Sequence, residues 1–221
     1  AVFAAIEPGI AIDWQVDEGT RVEPAATLCR LSGPAAALCT AERTALNFLQ
    51  LLSGVATATR ACVDAVAGTG VAILDTRKTL PGLRAAQKYA VACGGGTNHR
   101  MGLYDTAMLK ENHLAAAGGL EPAIAAVRRA HPEAPLTVEV ETLGQLAAAL
   151  AAGADRLLLD NFDLEQLREA VRINGGRAVL EASGGIDLDR VAAVAATGVD
   201  CISIGALTKH VRALDLSLRF D

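Results

Sequence analysis

From residue 71 onward, six short apolar runs each stop on a polar residue or a glycine. Residues 71–74 precede Asp75, 107–109 precede Lys110, 136–138 precede Glu139 and 157–159 precede Asp160. Residues 178–182 precede Ser183, and 201–204 precede Gly205. Runs of this length predict strands. Between them, residues 121–130, 143–151, 164–171 and 188–196 repeat apolar positions at helical spacing. Strand–helix alternation predicts a parallel sheet, and continuous apolar runs predict that both its faces are covered. The last three strand ends are 23 and 22 residues apart, as compact βα units require. In an α/β barrel the C-terminal strand ends face one shared pocket. The competing architecture, a doubly wound open sheet, calls for a glycine-rich fingerprint after its first strand; Asp75-Thr76-Arg77-Lys78 stands there instead.

The first third of the chain is patterned differently. Pro8, Gly9, Gly19, Pro24, Gly33 and Pro34 divide residues 1–34 into pieces that read as small strands and turns, with alternation over 10–14. Residues 17–22 read as a turn leading into the next strand. After Pro34, Leu38, Glu42, Ala45, Leu46, Leu49 and Leu52 recur at helical spacing. Gly54 is expected to end that helix, and a second helical run continues to Val66. The expected domains are an N-terminal α/β domain with linking helices at 1–67 and a barrel at 68–207. A tail at 208–221 is expected to pack back on the N-terminal part.

Composition narrows the class. Of the 221 residues, 52% are apolar but only 3% aromatic, which suits an alanine-rich α/β enzyme better than a β-sandwich. A net charge of −5 argues against a nucleic-acid partner. Five cysteines without a C-x-x-C pair predict small buried side chains in a reducing cytoplasm rather than disulfides or a zinc site. No apolar run approaches the ~18 residues of a membrane span. The opening apolar run is too short for a signal peptide and has no basic residue before it. The chain does not begin with Met, so residues upstream of Ala1 are expected.

Positive charge is concentrated in one segment. Three of the four lysines (Lys78, Lys88, Lys110) fall between 77 and 110, joined by Arg77, Arg84 and Arg100 against one acid, Asp105. His99 and His113 stand beside them. Arginine forks bind carboxylate and phosphate, and lysine supplies a mobile point charge. The segment therefore predicts a site for a small, multiply negative substrate; a solvated basic face is the plainer alternative. Gly94-Gly95-Gly96-Thr97-Asn98 lets backbone approach a ligand, or is simply a flexible loop. Glu139 and Asp160 could hold Mg²⁺ indirectly or bind sugar hydroxyls, or else pair with nearby cations. Glu141 shares their face only if its strand continues that far. Ser183-Gly184-Gly185 and Gly205-Ala206 suit a phosphate bound by backbone N–H groups, or are tight turns that need glycine.

Several of these stretches, taken in order, resemble the quinolinate phosphoribosyltransferase family. They are Ala41-Glu42-Arg43-Thr44, Asp75-Thr76-Arg77-Lys78-Thr79-Leu80-Pro81-Gly82-Leu83-Arg84, and Gly94 to Arg100. Leu109-Lys110-Glu111-Asn112-His113, Val138-Glu139-Val140-Glu141, Leu159-Asp160-Asn161-Phe162 and Ala182-Ser183-Gly184-Gly185-Ile186 continue the match. The resemblance implies an incomplete (β/α) barrel with a partial N-terminal open α/β sandwich domain, in a homodimer. It implies transfer of phosphoribose from phosphoribosyl pyrophosphate to quinolinate with decarboxylation, for NAD biosynthesis. Arg77, His99, Arg100 and Lys110 would hold the two carboxylates, and Arg43 would complete the partner's site. Lys78, Glu139 and Asp160 would serve the phosphosugar and its Mg²⁺, and Thr76 would be a further substrate-binding residue. Ser183, Gly184, Gly185, Ile204, Gly205 and Ala206 would hold the 5′-phosphate. Lys78, Lys110, Glu139 and Asp160 are the implied catalytic set. Family members carry some tens of further N-terminal residues, which again implies residues before Ala1. Two other functions stay open: a related phosphoribosyltransferase for another heterocyclic acid, and a non-catalytic barrel that binds a sugar phosphate.

Overall fold

The structure, a computed structural model, describes residues 1–220. It opens with α1 (Val2–Ile6), where strands were expected. Ala5 and Glu7 N–H donate to Ala1 O and Phe3 O, and Phe3 docks on Leu38 and Ala41. Docking of that one ring decides for helix in an alanine-rich run. β1 (Ala11–Trp14) and β2 (Cys29–Ser32) then pair antiparallel. The turn at Asp17–Thr20 forms, with Thr20 N–H on Asp17 O at 3.2 Å, but no strand follows until Cys29. Pro24 lacks an N–H, and Ala25 sits at φ 64, so this stretch cannot join a ladder.

The expected pair of helices is one helix, α2 (Ala35–Ala65), about 46 Å long at ~1.5 Å per residue. Gly54 does not end it. A Cβ at 54 would collide with the carbonyl of Arg212, so this glycine admits the C-terminal backbone. Leu214 N–H donates to Gln50 O at 3.1 Å, and Leu218 joins the Phe3 cluster. The tail thus runs along α2 toward its N-terminal end.

Next come β3 (Ala72–Leu74), α3 (Arg84–Cys93), β4 (Ala107–Leu109), α4 (Glu111–Ala117), α5 (Leu120–Ala130) and β5 (Leu136–Val140). They are followed by α6 (Leu143–Ala151), β6 (Arg156–Asp160), α7 (Leu164–Asn174), β7 (Val179–Ser183), α8 (Leu188–Ala195), β8 (Cys201–Ser203) and α9 (Ala206–Lys209). Several helix starts are capped by their own sequence. Thr142, Asp163 and Asp187 side chains accept the N–H of Gln145, Gln166 and Arg190.

All six later strands are parallel, in the order β3-β8-β7-β6-β5-β4. β3 and β4 do not pair. Laid flat, those two edges would be roughly 24 Å apart, five spacings of ~4.8 Å. Residues 97–100 nevertheless touch both: Thr97 N–H donates to Ile73 O at 2.8 Å, and Arg100 Nη1 donates to Thr106 O at 3.1 Å. His99 also reaches Glu181, in the middle of β7. The sheet is therefore rolled, and residues 97–100 fill the gap of an incomplete barrel.

Register assigns the faces, since partners in a parallel pair point the same way. Leu136, Val138, Val140, Leu157, Leu159, Leu180, Ala182 and Ile202 face the helices and form the main core with residues such as Leu146, Leu167 and Val191. Met108, Thr137, Glu139, Arg156, Asp160, Glu181, Ser183 and Ser203 face inward. The two faces differ in character: the outer one is apolar, while the inner one carries most of the polar strand residues beside Leu158 and Cys201. The inner face can carry them because the interior is not packed solid. A cavity of about 360 Å³ opens beside Thr97, Arg100, Thr137 and Arg156.

Candidate active site

The inward alternation brings the sequence-derived candidates to one end of the barrel. Thr76, Lys110, Glu139, Asp160, Ser183 and Gly205 lie at or just past strand ends on the inner face. Lys110 of the β4 end forms an ion pair with Glu139 of β5. The Lys110 N–H donates to His113 Nδ1 at 3.0 Å, which seals the start of α4. Glu141 falls outside β5, exposed, and its N–H is held by Gln145 Oε1 at 2.7 Å. It does not continue the face of Glu139.

After β3 the chain is held tightly while two cations stay outside. Thr76 Oγ1 accepts Lys78 N–H at 3.1 Å, and Thr208 Oγ1 donates to Lys78 O at 2.9 Å. Lys78 lies across Gly205: a Cβ there would come 3.1 Å from Lys78 Cδ. Arg77 is exposed. Burial first, and then the charge of Arg77, pull the Arg100 guanidinium below its ordinary range. Like charges that act on one another in this way favour an anion nearby. Arg84 plays another part; it donates to Thr79 Oγ1, Met101 O and Arg77 O and ties the loops together.

Lys88 does not belong to this mouth, although it counts toward the basic segment. Its side chain is 1% exposed and pairs with Asp75, itself 0% exposed. Burial pushes the Asp75 carboxyl up, against the pull of Lys88. Asp75 thus turns away from the pocket, toward α3.

The glycine turns have steric reasons as well. Gly184, at φ 99, sits where a side chain would collide with Asn161. Asn161, at φ 58, donates from its backbone to Ser183 O at 2.9 Å and from its amide to Asp160 Oδ2 at 2.8 Å. Arg190 Nη1 holds Gly185 O at 3.3 Å. The Asp160 turn and the Ser183 turn are thereby locked together. Ile204 is buried beneath, while Gly205 and Ala206 begin α9 without a side-chain cap.

Arg43 is exposed on α2 and makes no hydrogen bond or ion pair with the strand-end residues described. Within one chain, then, it is not brought to the others. Among the described residues no group of three or more His, Cys, Asp or Glu side chains is placed to hold a metal. Glu139 and Asp160 do share the inner face of adjacent strands, a donor set that fits a hard cation completing its shell with phosphate and water.

Glu181, Arg156 and the Asp75–Lys88 pair were not singled out from sequence. Glu181 is fully buried, and its Oε2 takes Arg156 Nη1 at 3.0 Å. Burial pushes its carboxyl up, but His99 foremost, then Ser203 and Arg156, outweigh that and hold it below its ordinary value. The available signal was a lone acid inside an apolar strand run.

Comparison with known proteins agrees with this geometry. The model of "Quinolinate phosphoribosyl transferase, N-terminal domain" matches residues 1–53, and that of the C-terminal domain matches residues 55–219. The Mycobacterium leprae protein named nicotinate-nucleotide pyrophosphorylase (carboxylating) is 51% identical over 213 residues, covering 95% of this chain and 75% of that protein. The Nicotiana tabacum quinolinate phosphoribosyltransferase (decarboxylating) 1b is 40% identical, covering 100% of this chain and 68% of its own length. The solved nicotinate-nucleotide pyrophosphorylase of Francisella tularensis superposes with a TM-score of 0.95 at 46% identity, over 98% of this chain and 77% of that one. With its strand ends, inner face and both domain matches in register, the chain belongs to the quinolinate phosphoribosyltransferase family.

Proposed function

We propose that this chain transfers phosphoribose from phosphoribosyl pyrophosphate to quinolinate and releases pyrophosphate and CO₂, giving nicotinate mononucleotide for NAD biosynthesis. The observation that carries the reading is the division of the strand-end site. Arg77 and Arg100 repel one another on its basic side, and Glu139 and Asp160 line the inner face of β5 and β6.

A dicarboxylate placed between Arg77, Arg100 and Lys110 relieves the like-charge contact and receives planar, two-point hydrogen bonds. Lys78 lies against the β8 end, beside Gly205, in position for the phosphosugar. Ser183, Gly184 and Gly185 with the start of α9 offer backbone N–H groups for its 5′-phosphate. Mg²⁺, held by Asp160 and Glu139 through phosphate and water, would neutralise charge on the departing pyrophosphate.

The chemistry asks little more of the protein. The bond from ribose C1 to pyrophosphate breaks with its electron pair on the leaving oxygen. The pyridine nitrogen supplies the new bond to C1, and the ring becomes cationic. The bond from the adjacent ring carbon to its carboxylate then breaks with the electron pair left on that carbon, where the neighbouring positive nitrogen stabilises it; CO₂ departs and a proton takes its place on the same carbon. No side-chain nucleophile is required. Orientation and electrostatic stabilisation carry the rate.

The reading includes a homodimer in which Arg43 of the partner subunit enters the site; its exposure on α2 supports this. It also places the enzyme in the cytoplasm, where the five free cysteines stay reduced. Among the described residues no helix is long and apolar enough to cross a membrane. The test is release of labelled CO₂ from quinolinate by the purified protein. Release that depends on both phosphoribosyl pyrophosphate and Mg²⁺ is the expected result; none under saturating substrates overturns the proposal.

A further inference from the structure

Every polar atom of His99 is already engaged by this chain. Its N–H donates to Asp75 Oδ1 at 2.9 Å, and its carbonyl accepts from Lys88 Nζ at 2.8 Å. On the ring, Nδ1 accepts the backbone N–H of Arg100 at 2.6 Å, and Nε2 lies 3.2 Å from Glu181 Oε2. A ring nitrogen that accepts an N–H carries the lone pair, so the proton sits on Nε2 and is donated to Glu181. Nothing on the imidazole is left for a substrate.

The groups that hold His99 are themselves fixed. Asp75 and Lys88 are buried as a pair, and the Asn98 amide, oriented to satisfy its neighbours, donates to Lys88 O at 2.8 Å and Asp75 Oδ2 at 2.6 Å. Glu181 is fully buried, and Arg156 holds the same oxygen that receives His99. A clamp from α3 and β3 grips the backbone while a clamp from β6 and β7 grips the ring. Arg100, between them, spends two N–H donors on Thr106 O and Met108 Sδ, leaving others of its five for a ligand.

We infer that His99 is a positioning residue, set in one tautomer by Glu181, whose Nδ1 fixes the backbone of Arg100 and so aims that guanidinium at the substrate carboxylate. Glu181 acts through His99 and touches no substrate. The identity of the ligand rests on the proposed reaction; the state of the ring does not.

The experiment is nitrogen-15 NMR of histidine-labelled full-length protein, with and without quinolinate. The expected His99 signals are a protonated Nε2 and an unprotonated Nδ1, unchanged when quinolinate is added. A tautomer switch or protonation of Nδ1 on adding quinolinate overturns the inference. Kinetics give a second arm. Removing a group that orients a metal ligand costs about 10–100-fold, and an effect of that size is expected for a group that orients a binding residue. Glu181→Gln is expected to raise the KM for quinolinate by at least about tenfold, leaving that for phosphoribosyl pyrophosphate within about twofold. His99→Asn, whose oxygen can still take the Arg100 N–H, is expected to recover most of what His99→Ala loses. Equal loss in both variants overturns the inference. Wild-type protein that turns over no quinolinate sinks the proposed function instead, and the NMR arm still decides the role of His99.

Discussion

Lys88 and Asp75 form an ion pair with neither side chain more than 1% exposed, and both grip the backbone of His99. Their worth is in placement more than in net stabilisation, because each charge gave up its hydration to be there. Removing one partner leaves the other buried and uncompensated, which typically costs about 3–5 kcal/mol. Lys88→Met is therefore expected to lower stability by about that amount in urea unfolding. The double variant Asp75→Asn, Lys88→Met is expected to recover part of the loss, because no isolated charge remains. Independent, additive losses would show that the two groups are not coupled.

Gly54 offers a prediction whose sign separates two readings. Alanine is better than glycine in a helix interior by up to about 1 kcal/mol. At 54 its methyl would strike the carbonyl of Arg212, and such overpacking costs about 1–3 kcal/mol. Gly54→Ala is expected to destabilise the protein and expose residues 210–220 to proteolysis. A helix that merely tolerated Gly54 as a weak point would instead be stabilised.

That example shows why parts of the fold were hidden in the sequence. A glycine reads as a stop unless the backbone that approaches it is known, and the tail lies 158 positions away, from 54 to 212. The strands were legible because each is a short continuous apolar run, such as Leu157-Leu158-Leu159, that stops on a polar residue or a glycine. The site was legible where charged residues stood at strand ends: Lys110, Glu139 and Asp160. It was illegible where charge was buried. Lys88 reads as one more surface cation until α3 turns it toward Asp75. Glu181 sits inside an apolar run, and only the rolling of the sheet brings His99 across to it.

Acid should reveal Glu181. Its carboxyl is held below the ordinary value of 4.5 in the folded protein. Below that value the unfolded chain binds a proton that the folded one refuses. The stabilisation is therefore complete above 4.5 and is lost as pH falls through the lower, folded value. The stability difference between wild type and Glu181→Gln, read by urea unfolding, is expected to be flat above about pH 5.5 and to shift against wild type below about pH 4.5. A difference that stays constant into acid would mean that the carboxylate gains nothing from His99 and Arg156.

Arg77 separates binding from folding most cleanly. It is exposed, its own backbone carbonyl rather than its guanidinium serves Arg84, and substitutions of this kind usually move stability by no more than about 0.5 kcal/mol. Its charge nevertheless pulls Arg100 down, so the two cations address the same space. Arg77→Ala is expected to unfold at the wild-type urea midpoint while losing about 2–5 kcal/mol of quinolinate binding, a rise in KM of roughly 30-fold or more. Arg77→Lys keeps a charge but loses the planar fork, and is expected to fall between the two. The measurement is steady-state kinetics over a quinolinate series at saturating phosphoribosyl pyrophosphate. Near-normal KM in Arg77→Ala would remove Arg77 from the dicarboxylate half of the site. A parallel fall in urea midpoint would make the residue structural instead.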